Sequence, residues 1–364
     1  MTSRGVTAWP ALRYLSKLPP SPSGIGLYAR EFLAALRATR LEVQVCRAPA
    51  DPAVSQEFRQ ALAGFRLGRR LGADAIPLHV ELSGRALFEF YAALGCLSRR
   101  DHPAVSITCH DAPSVAGAVL LFRGLDRRGL RRLTLACSTR LGFQLERRVV
   151  SRAEVVVALT AAGAGALQRR HGRPVTHIPH LVPSFPPGHK DPCVFLPGYL
   201  GDAERIAALV AMVLEAAPTG WTVRIGSCPD ETRALLSDEP RVSFTGHLDE
   251  DALLAEFARA ALVVRDRPDQ PDANAFAASG PLSWALASGC HCLTNDRRAG
   301  AQELAALGLV ELVTDLPAAL RTYFQAQPEG SLNPPPVAGA DSLTARQTLS
   351  SQAVASRFRA ALAH

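Results

Sequence analysis

The sequence predicts an α/β protein with two domains, each built on a doubly wound, mostly parallel sheet. The chain has 364 residues, more than one hydrophobic core usually holds. Its composition, 48% hydrophobic and 20% charged, is typical of globular proteins and excludes the disordered and fibrous classes. Apolar runs rich in β-forming residues alternate with longer helical patterns from end to end, as in parallel α/β units.

In the first half of the chain, each predicted strand is followed by a predicted helix, as right-handed crossovers between parallel strands require. The strands are predicted near Leu12–Leu15, Leu41–Cys46, Ile76–Glu81, Ala104–Cys109 and Glu154–Leu159, with a further strand ending at Ile178-Pro179-His180. The helices are predicted near Gly26–Ala38, Ser55–Leu71, Arg85–Leu97, Arg127–Ser151 and Ala161–His171.

A proline-rich segment, Pro179–Pro192, interrupts this alternation and is the best candidate for a linker. We therefore predict a first domain over residues 1–183, a linker over 184–192 and a second domain over 193–341. Residues 342–364 are predicted as a helix, Ser342–Leu362, that packs back on the first domain.

The second half repeats the α/β pattern and predicts a second doubly wound sheet. Its strands are predicted at Cys193–Leu196, Trp221–Gly226, Val242–Thr245, Leu262–Val264 and Cys292–Thr294. Its helices are predicted at Ala203–Ala216, Glu231–Leu236, Glu250–Ala260 and Gly280–Ala287.

The cysteines and the apolar runs indicate a protein without disulfides, metal or membrane spans. Eight cysteines are scattered singly, as expected of free, buried thiols. Cys290-His291-Cys292 suggests a metal site, but ligands one residue apart on a strand need partners that the sequence does not supply. No uncharged apolar run reaches about 20 residues, and the first residues do not resemble a secretory signal. We expect a cytoplasmic protein.

The formal charge of +7 is concentrated in one segment. Between Leu121 and Arg152, nine arginines stand against Asp126 and Glu146. The arginine-rich helix within residues 123–152 is either a solvated face or a surface for an anionic membrane, such as the inner face of the cytoplasmic membrane. A nucleic-acid partner is not predicted, because no recognised binding motif accompanies the charge.

Two segments of the first half carry candidate site residues. In Pro20–Arg30, Gly24 and Gly26 let the backbone approach a ligand, and the N–H groups opening the next helix face anions. The alternative is an ordinary helix start capped by Ser23. In Ile107–Pro113, His110 and Asp111 follow an apolar strand, where ligands of open α/β sheets bind. The alternative is a loop hydrogen bond between them.

Two segments of the second half could hold phosphate groups. In Phe195–Arg205 a strand runs into a turn with Gly198 and then a helix, and Arg205 is the nearby cation. In Leu262–Asp296 a strand feeds a long polar loop, and Ser279-Gly280 opens the next helix. A helix start reached through a Ser-Gly turn is a natural cradle for a pyrophosphate.

The order of these segments resembles the retaining GT-B glycosyltransferases, specifically the family 4-like (group 1) enzymes. The resemblance rests on PSGIGLYAREFLAAL, VSITCHDAP, ALTAAGAGALQRRHGRPVTHIPHLVP, RVSFTGHLDEDALLAEFARAALVV and SWALASGCHCLTND, which together run from about Pro20 to Val313. It implies two Rossmann-like domains facing across a cleft, with the C-terminal helix packing on the N-terminal domain.

The chain departs from this family at its acidic motif. The family's Glu-x7-Glu pair falls at Phe276 and Trp284, which cannot accept hydrogen bonds as carboxylates do. The usual Arg and Lys pair after the first strand of the second domain is reduced to Arg205. We expect a rebuilt donor site that uses Arg265, Asn274, Ser279 and Ser283, with Arg265 and Arg267 forming an exposed basic pair.

The resemblance implies an enzyme that transfers a sugar from a nucleotide-diphosphate sugar to a glycan, lipid-linked or small-molecule acceptor. It implies retention of anomeric configuration and no metal or other cofactor. His110 and Asp111 would be catalytic, with His110 touching the donor sugar or the acceptor hydroxyl, and Gly24 and Gly26 would line the phosphates. The alternatives are a catalytically inactive GT-B-like binding or partner subunit and another α/β function.

Overall fold

The computed structural model describes residues 9–18, 24–47, 57–83, 86–113, 131–183, 189–198, 202–267, 275–326 and 342–363. They form two compact units. The first comprises the described residues up to His180 together with residues 275–278 and 351–363. The second comprises the described residues within 181–267, 279–326 and 342–350.

The first unit is built on a six-stranded sheet. Its strands are β1 (Ala11–Ser16), β2 (Glu42–Arg47), β3 (Leu78–Leu82), β4 (Val105–Cys109), β5 (Val155–Ala158) and β6 (Thr176–His177). Its helices are α1 (Gly24–Ala38), α2 (Glu57–Leu71), α3 (Leu87–Leu97), α4 (Arg131–Arg152), α5 (Ala161–His171) and α13 (Ser351–Ala361). The strand order is β2-β1-β3-β4-β5-β6, and all of these pairs are parallel.

The second unit repeats this architecture. Its strands are β7 (Asp191–Leu196), β8 (Thr222–Ile225), β9 (Val242–Phe244), β10 (Ala260–Arg265), β11 (His291–Thr294) and β12 (Glu311–Leu312). Its helices are α6 (Ala203–Ala216), α7 (Asp230–Leu235), α8 (Glu250–Arg259), α9 (Gly280–Ala287), α10 (Ala299–Ala306), α11 (Leu316–Gln325) and α12 (Ser342–Thr348). The order is β12-β11-β10-β7-β8-β9, again parallel throughout. The predicted α/β class with two doubly wound parallel sheets is confirmed.

Two predicted boundaries need correction. Strand β7 begins at Asp191, so the predicted linker over 184–192 extends too far; residues 184–188 lie outside the described part of the chain. The single C-terminal helix Ser342–Leu362 is wrong, because α12 and α13 are separate helices. The chain breaks there because Val182 N–H donates to the Leu349 carbonyl (2.8 Å) and Val182 forms a β-bridge with Ser350.

The two faces of the first sheet differ in chemistry. Side chains alternate between faces along a strand, and one face contributes Leu78, Val80 and Leu82 of β3 to an apolar core that includes residues of α3. The opposite face carries the buried polar residues Tyr14, Ser16, His79, Glu81, Ser106 and Thr108. A parallel sheet covered on both sides is normally apolar on both faces, so the polar face is the feature that needs a functional explanation.

Helices α1 and α13 cover the polar face with aromatic rings. Phe358 of α13 meets the His79 ring edge-on, with centroids 4.7 Å apart, and Phe32 of α1 packs against Phe358 at 5.2 Å.

In the described part of the chain, no helix has both the length and the apolar character needed to cross a membrane.

Helices α2 and α3 pack with their backbones unusually close, through glycines on both helices. A Cβ atom added at Gly64 or Gly68 would overlap the carbonyl oxygens of Phe88 and Ala92, and one at Gly95 would overlap that of Phe65. Small residues at such spacing let two helices approach closely. These glycines are therefore required by packing.

We predict that Gly68→Ala destabilises the protein by about 1–3 kcal/mol, because overpacking outweighs the better helix propensity of alanine. The matched control is Gly165→Ala in α5, where a Cβ would meet only the flexible Arg169 guanidinium at 3.3 Å. The control should be neutral or slightly stabilising. Denaturant unfolding measures both variants, and equal stabilities would contradict this account of the α2–α3 contact.

Candidate functional site

The predicted site residues that the structure describes form two groups, one in each unit. The first group is Gly24, Gly26, His110 and Asp111; the second is Gly198, Arg205, Arg265, Ser279, Gly280 and Ser283. Both groups lie where strands end or where the following helices begin, which is where ligands of open α/β sheets bind. Asn274 lies outside the described residues.

Gly24 and Gly26 both lie in the first turn of α1, which begins two residues earlier than predicted. Neither has a positive φ. Both glycines belong to the amino end of a helix that follows β1, a position that favours anionic ligands. Ser23, the proposed cap, lies outside the described residues.

His110 lies at the carboxyl end of β4 and is held by Glu81 of β3. Its Nε2 atom is 2.8 Å from Glu81 Oε2, and its side chain is 8% exposed while that of Glu81 is fully buried. The Tyr28 ring of α1 meets the His110 ring edge-on at 5.0 Å. The hydrogen bond to Glu81 stands in place of the His110–Asp111 loop hydrogen bond that was the alternative from sequence. Asp111 is half-buried.

The Glu81 carboxylate receives three hydrogen bonds. The Tyr14 hydroxyl donates to Oε1 (2.9 Å), and His79 Nε2 lies 3.0 Å from the same oxygen. His110 Nε2 is hydrogen-bonded to Oε2. Burial alone would raise the pKa of Glu81, but the electrostatic interaction with His79 and the hydrogen bonds from His110 and His79 lower this pKa to about 2. Glu81 is therefore a carboxylate at neutral pH.

The network extends across three neighbouring strands in register. His79 of β3 stands opposite Tyr14 of β1 and Ser106 of β4, and Glu81 stands opposite Thr108. The Tyr14 and His79 rings stack at 5.4 Å, and His79 Nδ1 is 2.8 Å from the Ser106 hydroxyl. His79 therefore bridges Ser106 and Glu81, which limits the orientations open to the carboxylate.

Sequence reasoning missed Glu81, His79 and Tyr14 as site residues. A usable signal exists: in LHVEL and SITCH, polar residues occupy every second position of runs that otherwise read as buried strands. Alternation of this kind places the polar residues on one face. His110 continues the polar positions of β4 by one step beyond the strand.

The start of α9 in the second unit has an unusual arrangement. Ser279 occupies the N-cap position but makes no cap hydrogen bond, and its buried hydroxyl has no partner among the described residues. Pro281 follows Gly280 in the first turn and has no N–H. Ser279 therefore does not cap the backbone N–H groups of this turn, although it occupies the capping position. Gly280 and Pro281 remain partly exposed.

Phe276 and Trp284 stand where the retaining GT-B family has its two glutamates, and both side chains are packed within the protein. Trp284 is buried, and its indole Nε1 would be 3.6 Å from a Cβ at Gly280. Phe276 belongs to the first unit, where its carbonyl accepts a hydrogen bond from Thr160 Oγ1 (2.6 Å) and its side chain packs against the apolar core. The indole nitrogen of Trp284 thus lies beside the first turn of α9.

Arg205, the cation expected to reach a phosphate, is already paired. Its Nε donates to Asp266 Oδ2 (2.7 Å), and Asp266 also accepts a hydrogen bond from Asn295 Nδ2. Asn295 Oδ1 in turn accepts from the Arg267 backbone N–H (2.7 Å). The ends of β10 and β11 and the start of α6 are linked by this chain of contacts.

The expectation of an exposed basic pair is wrong for Arg265. Its side chain is buried beside Asp296, with Nε 3.4 Å from Oδ2, and burial together with the charge of Arg298 lowers the pKa of Arg265 to about 10. Asp296 also accepts from Arg298 Nε at 2.9 Å. Burial would raise the pKa of Asp296, but these arginines hold it at about 2. Arg265 therefore supports this edge as part of an internal ion-pair network.

The remaining predicted residues have structural partners. Gly198 follows β7 with φ of 72°, and a Cβ there would meet the Ser227 carbonyl oxygen at 2.9 Å, so the turn requires glycine. The Ser283 hydroxyl donates to the Ser279 carbonyl one turn earlier (3.2 Å).

A metal site at Cys290-His291-Cys292 has no support among the described residues, where no group of three potential ligands lies together. Cys290 Sγ contacts the Phe257 and Ala260 carbonyls, and His291 Nε2 lies 3.2 Å from Glu311. Burial raises the pKa of the Cys292 thiol far above its usual range. Cys290 and His291 thus contact groups of the protein itself.

No protein-family model and no curated protein matches the chain. Solved structures do match it along nearly its whole length. A sucrose-phosphate synthase from Thermosynechococcus elongatus is similar at 15% identity and a TM-score of 0.60, covering 96% of this chain and 97% of its own. A glycosyltransferase involved in avilamycin A biosynthesis is similar at 14% identity and a TM-score of 0.56, covering 97% and 96%.

A protein described as a UDP-N-acetylglucosamine 2-epimerase, from Listeria monocytogenes, is also similar. It has 11% identity and a TM-score of 0.59, covering 98% of this chain and 96% of its own. At these identities the likeness concerns the fold. The chain has the GT-B fold, which glycosyltransferases and UDP-N-acetylglucosamine 2-epimerases both use.

Proposed function

We propose that this protein is a glycosyltransferase that uses a nucleotide-diphosphate sugar as donor and a hydroxyl group of a glycan, lipid-linked or small molecule as acceptor. The observation that carries the proposal is the start of α9. There, first-turn amides that Ser279 does not cap, and a buried Ser279 hydroxyl without a partner among the described residues, lie at a helix start that follows a parallel strand. Such a position suits a diphosphate, because backbone N–H groups and the helix dipole both favour negative charge.

The donor would be held mainly by backbone and hydroxyl groups of the second unit. Arg205 and Arg265 are committed to Asp266 and Asp296, so their charge is largely balanced within the protein. Trp284, buried beside Gly280, stands in place of a glutamate that accepts from ribose hydroxyls. The resemblance further predicts that no metal is needed, which activity in the presence of a chelator would test.

A nucleotide-sugar 2-epimerase is the second candidate, because the similar solved structures include UDP-N-acetylglucosamine 2-epimerases. Both reactions begin with a bound nucleoside diphosphate sugar, so the α9 site serves either one. They differ in whether an acceptor is consumed and whether the sugar's C2 proton exchanges. A catalytically inactive binding or partner subunit would bind the nucleotide and do neither.

Membrane contact through the arginine-rich helix remains a prediction. Helix α4 begins at Arg131 in the described residues, and residues 114–130 and the side chains of 131–139 lie outside them. Arg140, Arg147, Arg148 and Arg152 are exposed on the part that is described. Co-sedimentation with anionic liposomes at low and high salt would test whether this charge binds a lipid surface.

We predict that Gly280→Asp weakens binding of nucleoside diphosphates about tenfold or more, whereas Gly280→Asn changes it little. An aspartate in the first turn favours the helix but repels a diphosphate, so lost binding could not be blamed on unfolding. Gly280 has no positive φ, and a Cβ there meets only ordinary contacts. Thermal shift with UDP, GDP and ADP, followed by calorimetry of the best ligand, provides the measurement. Equal affinities for the two variants would place the phosphates elsewhere.

Ser279→Ala should shift stability and binding in opposite directions. Removing a buried hydroxyl without a partner should leave the ligand-free protein equally or slightly more stable. The same change should weaken nucleotide binding severalfold by deleting a donor to the diphosphate. Unfolding without ligand and calorimetry with the best nucleotide check the two effects. Unchanged affinity would remove Ser279 from the donor site.

Incubation of the nucleotide sugar in D₂O separates the two enzymatic candidates. The transferase proposal predicts release of nucleoside diphosphate that requires an acceptor, with no deuterium at C2 of the recovered donor. Deuterium at C2 without an acceptor would instead establish the epimerase. Nucleotide binding without either reaction, across the donor and acceptor panel, would establish a binding subunit.

A further inference from the structure

The Glu81–His110 contact defines which nitrogen of His110 can react. We propose that His110 Nδ1 is the general base that deprotonates the acceptor hydroxyl, that Glu81 is the positioning residue that fixes its tautomer, and that sugar transfer therefore proceeds with inversion. This inference rests on the proposed function and departs from the retention that the family resemblance implies.

The tautomer follows from the hydrogen-bond partners. Glu81 carries no proton at neutral pH, because its pKa is about 2. Its Oε2 atom can only accept, so His110 Nε2, 2.8 Å away, must carry the hydrogen. A neutral imidazole with a protonated Nε2 has its lone pair on Nδ1. That atom makes no hydrogen bond to any described residue, and the ring is 8% exposed at the carboxyl end of β4.

The surroundings of His110 suit a base that becomes charged during reaction. Glu81 faces it from β3, Tyr28 from α1, and Asp111 adjoins it in the chain; His180 lies beyond Tyr28, with ring centroids 4.9 Å apart. Tyr28 stays neutral, since burial and then the Glu81 charge raise its pKa well above its usual value. The imidazolium formed on proton uptake would thus be stabilised by the carboxylate behind it.

The chemical step is a single displacement in which atoms and charge balance. The acceptor O–H bond breaks and its proton moves to His110 Nδ1. The oxygen lone pair forms a bond to the anomeric carbon of the donor. The bond from that carbon to the diphosphate breaks, and its electron pair leaves with the nucleoside diphosphate. His110 then releases the proton to solvent, so each turnover yields a glycoside and a nucleoside diphosphate.

Inversion is favoured by the base that the first unit provides. In the front-face process that retention implies, donor phosphate assists the attacking hydroxyl and no protein base is needed. Here the first unit builds a buried carboxylate behind a histidine, which is the arrangement that a protein base requires. A protein base that deprotonates the acceptor matches attack on the face opposite the leaving group.

The tautomer can be measured without any substrate. Long-range ¹H–¹⁵N correlation spectra of the whole protein near pH 8, assigned by comparison with His110→Gln, should show protonated Nε2 and unprotonated Nδ1. In Glu81→Gln the amide can donate to Nε2, so the proton should move to Nδ1. A wild-type His110 protonated on Nδ1 would overturn the proposal.

The kinetic test uses Glu81→Gln, which removes the charge behind His110 while keeping the size of the side chain. Glu81→Gln should lower kcat about 100-fold or more with unchanged nucleotide affinity. A kcat within about tenfold of wild type, or a loss of nucleotide affinity as large as the loss of kcat, would reduce Glu81 to a structural role.

The stereochemistry of the product tests inversion separately from the proposed glycosyltransferase activity. Proton NMR of the first-formed glycoside should show an anomeric configuration opposite to that of the donor. Transfer with retention would overturn the inference and leave the glycosyltransferase intact. No transfer from any donor would overturn the proposed function itself. If Glu81→Gln does not fold, the wild-type tautomer and stereochemistry decide.

Discussion

Parallel strand pairing is the constraint on which the other features of this protein depend. Every strand pair of the two described sheets is parallel, so each crossover returns the chain to the amino edge before the next strand begins. All strands of a sheet therefore end at one edge, and the helices that follow begin there. His110 and Asp111 in the first unit lie at such an edge for this reason. Arg205 and the Ser279-Gly280 turn lie at the corresponding edge of the second unit.

The first unit buries the Glu81 carboxylate near this edge, and burying a charge by itself destabilises the fold. Removing an unpaired charge from water costs several kcal/mol, and three donors from three strands offset that cost for Glu81. The donors must remain in place, which fixes the rotamers of Tyr14, His79 and His110. In the proposed mechanism, rigidity of this kind would hold the reacting nitrogen of His110 in one orientation. In the second unit, Arg205 and Arg265 are paired with Asp266 and Asp296.

Sequence patterns predicted most of the fold, because strands buried in parallel sheets are short apolar runs bounded by polar turns. They missed the break between α12 and α13, which depends on a hydrogen bond to distant Val182. They predicted His110 from its position after a strand but missed Glu81, whose role depends on register between β3 and β4. Arg265 was expected to be exposed, and only the pairing of β10 with β11 reveals its contact with Asp296.

The proposed function requires a nucleoside diphosphate to bind at the first turn of α9. A crystal structure of the protein with its best-bound nucleoside diphosphate tests this most directly. We expect phosphate oxygens within hydrogen-bonding distance of the Gly280 backbone N–H and the Ser279 hydroxyl. A nucleotide bound at another surface, with the first turn of α9 unoccupied at saturation, would contradict the account.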